Sequence, residues 1–369
     1  MAATEQRAAG PGVDPAGLAT RLSRLTLTRN LGIALLVGVV LLLVSNALSP
    51  FDNLQLATMA YTFIAVAGLS VLTGLNGQVS LGHGALMAIG AYTAAKLFAE
   101  DPGPGWPLLA VLVAATAVTA LAGVVIGAAA ARLRGPYLAG ATLALAVALP
   151  SVSERFPDFL GGSNGLTIIP PLPPSGLGVD FALERWHAWI ACLGALVAFV
   201  VLANLVRGRQ GREWRAVRDD EIAAELCGLH VARSQVLAFV VSAACCGLAG
   251  GLFVVVTQLA APGAFPLALS VSLLAAAVLG GLGSLGGAAA GAALIVLIPR
   301  WSDDASAALG LTTNVQANLA LAIYGLLLIA VVLLAPRGIA GIFGRAAHAV
   351  RTRWESQQMR RHERRGEVG

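Results

Sequence analysis

The sequence predicts an all-α fold, a polytopic bundle of transmembrane helices. Of the 369 residues, 57% are hydrophobic and only 12% are charged, and the mean hydropathy is +0.79. Soluble domains carry about a quarter charged residues. The apolar residues form continuous runs of roughly 17 to 25 positions, the length that a helix needs to cross a bilayer core about 30 Å thick. Strands of a membrane barrel would instead alternate apolar and polar residues.

The apolar runs predict ten membrane spans, and the bounds of each span are approximate. An alternative with eight spans has a single pass across residues 268–299 and another pass merged near residues 75–90. The ten predicted spans lie near residues 31–49, 54–74, 85–99, 107–131, 136–150, 187–206, 234–258, 268–281, 287–299 and 317–335.

The arginines predict the orientation of the chain, because basic residues accumulate on the cytoplasmic side of membrane proteins. A basic leader (residues 1–30) and a basic tail (residues 336–369) frame the predicted transmembrane domain of residues 31–335. Both termini are therefore predicted to be cytoplasmic, as is the charged segment of residues 207–233. Residues 151–186 are predicted to lie outside. This distribution also explains the net charge of +5 without a nucleic-acid partner.

The leader is polar and the first apolar run is too long for a signal peptide, so we expect that run to stay in the membrane. The multi-pass chain is thus predicted to reside in a membrane. The cysteines show no metal-type spacing, so no metal site is expected and we interpret them as small core residues. They are Cys192, Cys227, Cys245 and Cys246.

Residues 74–92 interrupt the apolar pattern with the run GLNGQVSLGHGALMAIGAY. Backbone that leaves a helix at membrane depth must be satisfied by protein or by a water-filled cavity, and transport sites are often built from such breaks. A solute path is one interpretation, and an interfacial turn with close helix packing is the other. The candidate path residues are Asn76, Gln78, Ser80, Gly82, His83 and Gly84.

The predicted outer segment contains GGSNG and then the proline-rich run IIPPLPP, which cannot form a helix and predicts a stiff surface loop. This loop is either an extracytoplasmic docking surface or a plain connector. The candidate docking residues are Gly161, Gly162, Ser163, Asn164 and Gly165.

The charged segment of residues 207–233 must stand in water, because long apolar runs lie on both sides of it. Asp219 is a suitable N-cap, the acidic residues after it favour a first helical turn, and Gly228 is a suitable stop. We therefore predict a helix of about two turns over residues 219–228, with the preceding arginines held near anionic lipid. A soluble partner docking on this helix and an ordinary positive-inside loop are both compatible with the pattern.

Several motifs resemble permease subunits of branched-chain amino acid ABC transporters, in particular the LivM-like subunit. They are GLNGQVSLGHGALMAIGAY, RGPYLAGATLALAV, GGSNGL, GREWRAVRDDEIAAELCGLHVARSQVLAFVVSAACCGLAGGLF, VLGGLGSLGGAAAGA and LLAPRGIAG, in this order across residues 50–343. The resemblance implies an ABC-importer permease fold in which the short cytoplasmic helix engages an ATPase. It assigns coupling to Arg215, Arg218, Asp219, Asp220, Glu221, Ala223, Ala224, Glu225 and Gly228.

The resemblance also implies the partners: a second, LivH-like permease subunit, two nucleotide-binding ATPase subunits and an extracytoplasmic solute-binding protein. The sequence contains no phosphate-binding loop, so we predict a transport subunit, not an enzyme. It should bind no cofactor, and its partners would use the ATP. The solutes implied by the resemblance are leucine, isoleucine and valine or related small solutes, and the implied location is a bacterial inner (plasma) membrane. An ion-coupled secondary transporter or channel for a small polar solute is the alternative, although the spans hold few ionisable residues.

Overall fold

A computed structural model of the chain describes residues 15–99, 106–132, 136–169, 171–178 and 181–309, together with scattered residues between 319 and 341. The described parts are almost entirely helical, and the predicted all-α fold is confirmed. The helices are α1 (Pro15–Ala47), α2 (Pro50–Asn76), α3 (His83–Ala99), α4 (Leu108–Ala130), α5 (Pro136–Arg155), α6 (Pro157–Leu160), α7 (Leu183–Arg207), α8 (Arg209–Asp219), α9 (Glu221–Leu226), α10 (Val231–Thr257), α11 (Leu267–Gly280) and α12 (Leu285–Leu309).

Eight helical segments of the described chain are long and apolar enough to cross a membrane, and they lie in α1, α2, α4, α5, α7, α10, α11 and α12. Helix α3 is shorter, with 17 residues. Each of the nine predicted spans between residues 31 and 299 coincides with a helix. The tenth, residues 317–335, lies outside the described residues except for isolated positions, as do the first half of the leader and nearly all of the tail.

A sharp turn separates α11 from α12, at Gly281 and Gly283, which have φ angles of 111° and 78°. Glycine adopts this left-handed region without the steric cost that a side chain imposes. The single pass across residues 268–299 in the eight-span alternative is therefore wrong. The structure also contains eight candidate spans, but they are not the eight of this alternative. They include α11 and α12 as two separate helices.

Helices α2 and α10 form the centre of the bundle: 78% and 72% of their apolar windows are buried, against 11% for α1. Helix α10 packs against α2, α3, α4 and α7. Small residues allow these approaches, since a Cβ at Gly250 would collide with the carbonyl oxygen of Met87 and one at Gly90 would collide with the backbone of Gly247. The backbones of α3 and α10 thus pack directly against each other.

Helix α1 lies at the edge of the bundle and is joined to α7 by polar contacts at both ends. At one end Arg207 donates to Asn30 Oδ1 (2.6 Å), and the amide of Asn30 donates to Asn204 Oδ1 (2.9 Å). At the other end the indole of Trp189 donates to Ser45 Oγ (3.1 Å). These pairs fix the register of α1 against α7.

A two-stranded antiparallel ladder closes one end of the bundle. It pairs β1 (Leu166–Thr167) with β2 (Leu259–Ala260), which directly follows α10. Short 3₁₀ turns flank it at Gly162–Asn164 and Pro262–Ala264. The predicted outer loop is therefore attached to the far end of α10, opposite the end at which α10 meets α8 and α9.

The arginine-rich residues before the predicted docking helix form a helix of their own, α8. Trp214 is fully buried and its indole donates to the carbonyl oxygen of Ser234 in α10 (3.2 Å). Arg215 donates to the carbonyl oxygen of Val206 at the end of α7 (3.1 Å). Helix α8 is thus fixed to α7 and α10. Its arginines therefore do more than face anionic lipid.

Replacing Trp214 with alanine is expected to lower the free energy of unfolding by about 3–5 kcal/mol, the range for truncating a buried aromatic side chain. The measurement is thermal or denaturant unfolding of the purified chain in detergent. Trp214→Phe is the control: it keeps most of the buried apolar surface, loses only the indole hydrogen bond and should cost about 1–3 kcal/mol. Equal losses for the two variants would contradict this packing.

Cysteine positions divide into two groups. Cys192, Cys245 and Cys246 are buried in α7 and α10, as expected for small core residues. Cys227 is exposed, so the core interpretation is wrong for this residue. It follows α9 at the point where the chain turns, and its backbone N–H donates to the carbonyl oxygen of Ala223.

Candidate functional site

The polar residues of the 74–92 stretch lie in and beside a six-residue break between α2 and α3. Helix α2 ends at Asn76, the next residue, Gly77, has a φ of 79°, and α3 begins at His83. Between them the chain is irregular, as the glycines predict. Among the candidate residues Asn76, Gln78, Ser80 and His83 are all buried.

His83 ties the break to α10 through two hydrogen bonds. Its Nδ1 lies 2.9 Å from Ser80 Oγ and its Nε2 lies 2.7 Å from Ser242 Oγ. Since a histidine ring donates from one nitrogen and accepts at the other when neutral, both hydroxyls can be satisfied by one neutral ring. The structure therefore gives His83 a structural role between the break and α10.

Side chains from two further helices satisfy the freed backbone of the break. The N–H of Leu81 donates to Thr142 Oγ1 in α5 (3.0 Å), and the N–H of Gly84 donates to Ser270 Oγ in α11 (2.9 Å). A Cβ at Gly82 would lie 2.7 Å from the carbonyl oxygen of Thr142. Helices α3, α5, α10 and α11 thus converge on this stretch, in the close packing that its glycines allow.

The side chains of Asn76 and Gln78 differ from the rest, because they are buried without being satisfied. Both polar atoms of Asn76 and Oε1 of Gln78 have no hydrogen-bond partner in the described part of the chain. A buried polar group left unpaired costs about 1–3 kcal/mol. These amides can therefore bind water or a polar solute.

The second site is the short helix α9, and the structure corrects its predicted bounds. Asp219 is the last residue of α8 and not the N-cap. The cap is Asp220, whose carboxylate accepts from the N–H groups of Ile222 (2.9 Å) and Ala223 (3.0 Å). The helix covers six residues, Glu221–Leu226, in place of the predicted 219–228. Sequence reasoning chose the wrong one of two adjacent aspartates, because α8 extends to the first of them.

The end of α9 is a left-handed turn at Gly228, with a φ of 84°. The N–H of Gly228 donates to the carbonyl oxygen of Glu225 and the N–H of Leu229 donates to that of Ala224, which is the Schellman pattern of helix termination. Ala224 is buried against Val217 and Val231. Both ends of α9 are therefore fixed to α8 and α10.

Gly228→Val is expected to disrupt this end of α9 and to lower the free energy of unfolding by about 1–3 kcal/mol. A β-branched residue at positive φ is strained by about that amount, and the loss of the turn would displace Leu229 from the cluster against which it packs. The measurement is thermal or denaturant unfolding of the purified chain in detergent. Gly228→Asn tolerates the left-handed conformation and should retain most of the stability, whereas equal effects of the two variants would contradict the role of the turn.

The outward face of α9 is apolar at its centre. Ile222 is 74% exposed and Leu226 is 85% exposed, one helical turn apart. Acidic side chains flank them at Glu221 and Glu225. A cleft of about 390 Å³ adjoins the helix, lined by Glu225, Gly228, Leu229, His230, Val231, Ala232 and Arg233.

The third candidate set, residues 161–165, forms a tight backbone turn. Three of its glycines have φ angles between 61° and 77°, and a Cβ at Gly165 would collide with the carbonyl oxygen of Ala260. Gly162 is buried and its carbonyl oxygen accepts from Ser153 Oγ (3.0 Å). Ser163 and Asn164 are exposed, and nearby exposed apolar residues, Phe156, Phe159, Ile169 and Leu172, enlarge this surface.

Sequence reasoning missed several residues of these sites. Ile222 and Leu226 are absent from the predicted docking residues, although large apolar residues in a charged segment are a usable signal. Thr142, Ser242 and Ser270 were missed because single hydroxyls in apolar helices give no signal of what they contact. Gly74 was missed as well, because nothing in the sequence indicates that its carbonyl oxygen accepts from Arg218 of α8 (2.6 Å).

The fold and the two sites define a polytopic helical membrane transport protein with a polar break at the centre of its bundle. The chain belongs to the family described as branched-chain amino acid transport system / permease component, whose profile matches residues 51–332. The resemblance of its motifs to this family is thereby confirmed.

Curated relatives agree with the family. The chain is 34% identical over 256 residues to the high-affinity branched-chain amino acid transport system permease protein LivM of Salmonella typhimurium and to that of Escherichia coli K12, covering 63% of this chain and 59% of each relative. It is 28% identical over 303 residues to LivH of Escherichia coli K12, covering 79% of this chain and 94% of LivH. The chain thus spans about three-fifths of the LivM relatives. No solved structure matches it significantly.

Proposed function

We propose that this chain is a permease subunit of an ATP-driven ABC importer and forms part of the membrane path for leucine, isoleucine and valine or related small solutes. The observation that carries the proposal is the exposed apolar pair on α9. Two large apolar side chains standing in water on a short, doubly capped helix are typical of a surface that a partner covers. The family membership and the LivM and LivH relatives support the solute class.

The partner on α9 is proposed to be an ATPase subunit. Each transporter would contain two such subunits, a second permease subunit of the LivH type and an extracytoplasmic solute-binding protein. The ATP would be bound and hydrolysed by the ATPases, and this chain would hold no cofactor. In this arrangement Ile222 and Leu226 insert into a groove of the ATPase, while Glu221 and Glu225 provide polar contacts at its rim.

The solute path is proposed to pass the break between α2 and α3, where the unpaired amides of Asn76 and Gln78 can bind a polar solute group. Of the polar side chains in the break only His83 is ionisable, and both of its ring nitrogens contact hydroxyls. Coupling to a proton gradient would need an ionisable group free to exchange its charge, whereas backbone carbonyls of the break could still bind Na⁺. Family membership is what favours the ATP-driven importer over the ion-coupled alternative.

The chain is proposed to lie in a bacterial inner membrane with both termini cytoplasmic. The structure brings the end of α2 and the turn between α11 and α12 together with α8, which lies in the charged segment predicted to be cytoplasmic. Arg218 bonds Gly74, and Gly74 contacts Gly283. The surface around Ser163 and Asn164, which lies at the opposite end of α10, would then face outward and receive the solute-binding protein.

Site-specific photo-crosslinking tests this assignment. A photoreactive amino acid at Leu226, in the assembled complex, is expected to capture a protein that carries the phosphate-binding loop of an ATPase. The matched probe at Phe159, which is 61% exposed at the other end of the bundle, is expected to capture the solute-binding protein. Capture of the ATPase from Phe159, or of no ATPase from Leu226, would overturn the proposal.

A further inference from the structure

The end of helix α2 is the point at which the docking segment touches the solute path. Arg218, at the end of α8, donates from Nη1 to the carbonyl oxygen of Gly74 at 2.6 Å, which is the shortest of its hydrogen bonds. The last carbonyls of a helix lack intrahelical partners and carry partial negative charge. The N–H of Gln78, which would normally reach Gly74, instead bonds the carbonyl oxygen of Leu72 (3.3 Å). The guanidinium of Arg218 therefore takes the place of the backbone N–H that would bond the carbonyl oxygen of Gly74 in a regular helix.

Glycines on both sides of this contact leave room for the arginine side chain and for close packing of the backbone. Gly77 lies against the side chain of Arg218, since a Cβ there would be 3.0 Å from Arg218 Cγ. On the other side, a Cβ at Gly74 would collide with the backbone of Gly283, and the N–H of Gly283 donates to Ser70 Oγ (2.9 Å). The end of α2 is thus held between α8 and the turn that joins α11 to α12.

Helix α8 also packs against α9. Val217 of α8 packs in one buried cluster with Ala224 of α9 and Val231 of α10. The carboxylate of Asp219 contacts the same guanidinium, with Oδ1 at 2.7 Å from Nη2. A displacement of α9 would therefore move Arg218 together with it.

We infer that Arg218 is a positioning residue that transmits movement of the docked α9 helix, through the carbonyl of Gly74, to the break at residues 77–82 and to the turn at residues 281–284. This inference rests on the proposed function, because it needs an ATPase that moves α9. It adds the route by which that movement reaches the solute path. The hydrogen bond from Arg218 to the end of α2 directly connects the docking segment with the helix that leads into the break.

A fluorescent reporter in the break tests the route in the complete transporter. Val79, 42% exposed, is replaced by cysteine and labelled with bimane in a Cys227→Ser background. In the otherwise unaltered complex, trapping the ATPases with ATP and vanadate is expected to change the bimane emission. Arg218→Met, which keeps the side-chain length and loses every donor, should abolish this change and lower solute uptake per ATP hydrolysed at least tenfold.

Two controls separate transmission from general damage. Arg218→Lys retains a charged donor and should restore part of the emission change. Arg209→Met should behave like the parent chain, because the side chain of Arg209 bonds only Glu213 within α8 in the described structure. A purely structural role would lower the amount of complex without altering uptake per ATP.

The outcomes distinguish this inference from the function on which it rests. If the parent chain recruits no ATPase, the proposed function fails. If the parent chain responds to trapping and Arg218→Met recruits the ATPases in equal amount with the same emission change and the same uptake per ATP, the route through Gly74 is overturned. If Arg218→Met recruits the ATPases normally but loses both the emission change and the uptake per ATP, the route through Gly74 is established.

Discussion

Replacing Ile222 and Leu226 together with aspartate is expected to abolish ATP-driven uptake while the chain still inserts and accumulates in the membrane. Full burial of one such apolar side chain contributes about 1.5–3 kcal/mol, so the pair would contribute about 3–6 kcal/mol to docking. Each 1.4 kcal/mol is a tenfold change in affinity, which gives at least a hundredfold weaker association with the ATPase. The measurement is co-purification of the ATPase subunits from membranes, alongside solute uptake.

The matched control exchanges the two residues, as Ile222→Leu with Leu226→Ile. This variant keeps the exposed apolar surface and the charge of α9, and it should retain most of the docking. Both residues are exposed, so neither change removes a contact of the bundle. Normal co-purification of the ATPases with the double aspartate variant would contradict the assignment of α9.

Asn76→Leu is expected to raise the stability of the chain and to lower uptake. The side chain is buried and neither of its polar atoms is paired in the described structure. An apolar side chain of similar volume would remove an unsatisfied amide worth about 1–3 kcal/mol. Uptake should fall at least tenfold, because the same amide is proposed to meet the solute. Unfolding of the purified chain and uptake by the assembled transporter are the two measurements.

Asn53 supplies the control for this prediction, because it is a buried asparagine in the same helix with its hydrogen bonds made. Its amide donates to the carbonyl oxygens of Ser45, Leu48 and Ser49, and its Oδ1 accepts from Ser45 Oγ. Asn53→Leu should therefore lower stability by about 1–3 kcal/mol. A destabilised Asn76→Leu, or one that transports normally, would contradict the solute-path role.

The helices were predictable from the sequence because apolar length is a direct physical signal. Nine of the ten predicted spans lie on helices of the structure, and the polar break at residues 74–92 separates two of them as expected. The cap of α9 was predicted one residue too early, since propensity cannot decide between two adjacent aspartates when the preceding helix has an unknown end. That end is set by burial of Trp214 and Val217, which is tertiary information.

The contacts of the site were less predictable than its location. Glycine at positions 74 and 77 signals only that a side chain is disfavoured, and the reason, an arginine from a distant helix, is visible only in three dimensions. The same holds for His83, whose partners Ser80 and Ser242 are 3 and 159 residues away. The sequence of an apolar helix shows which polar residues are present, but not which of them remain unpaired.

The source of energy for uptake is the most direct test of the central claim that this chain is driven by an ATPase docked on α9. The measurement is accumulation of labelled leucine, isoleucine and valine in proteoliposomes that contain the full complex and external solute-binding protein. The account predicts accumulation that requires internal ATP and persists when proton and sodium gradients are collapsed. Accumulation by the chain without ATPases, driven by an imposed ion gradient, would contradict it.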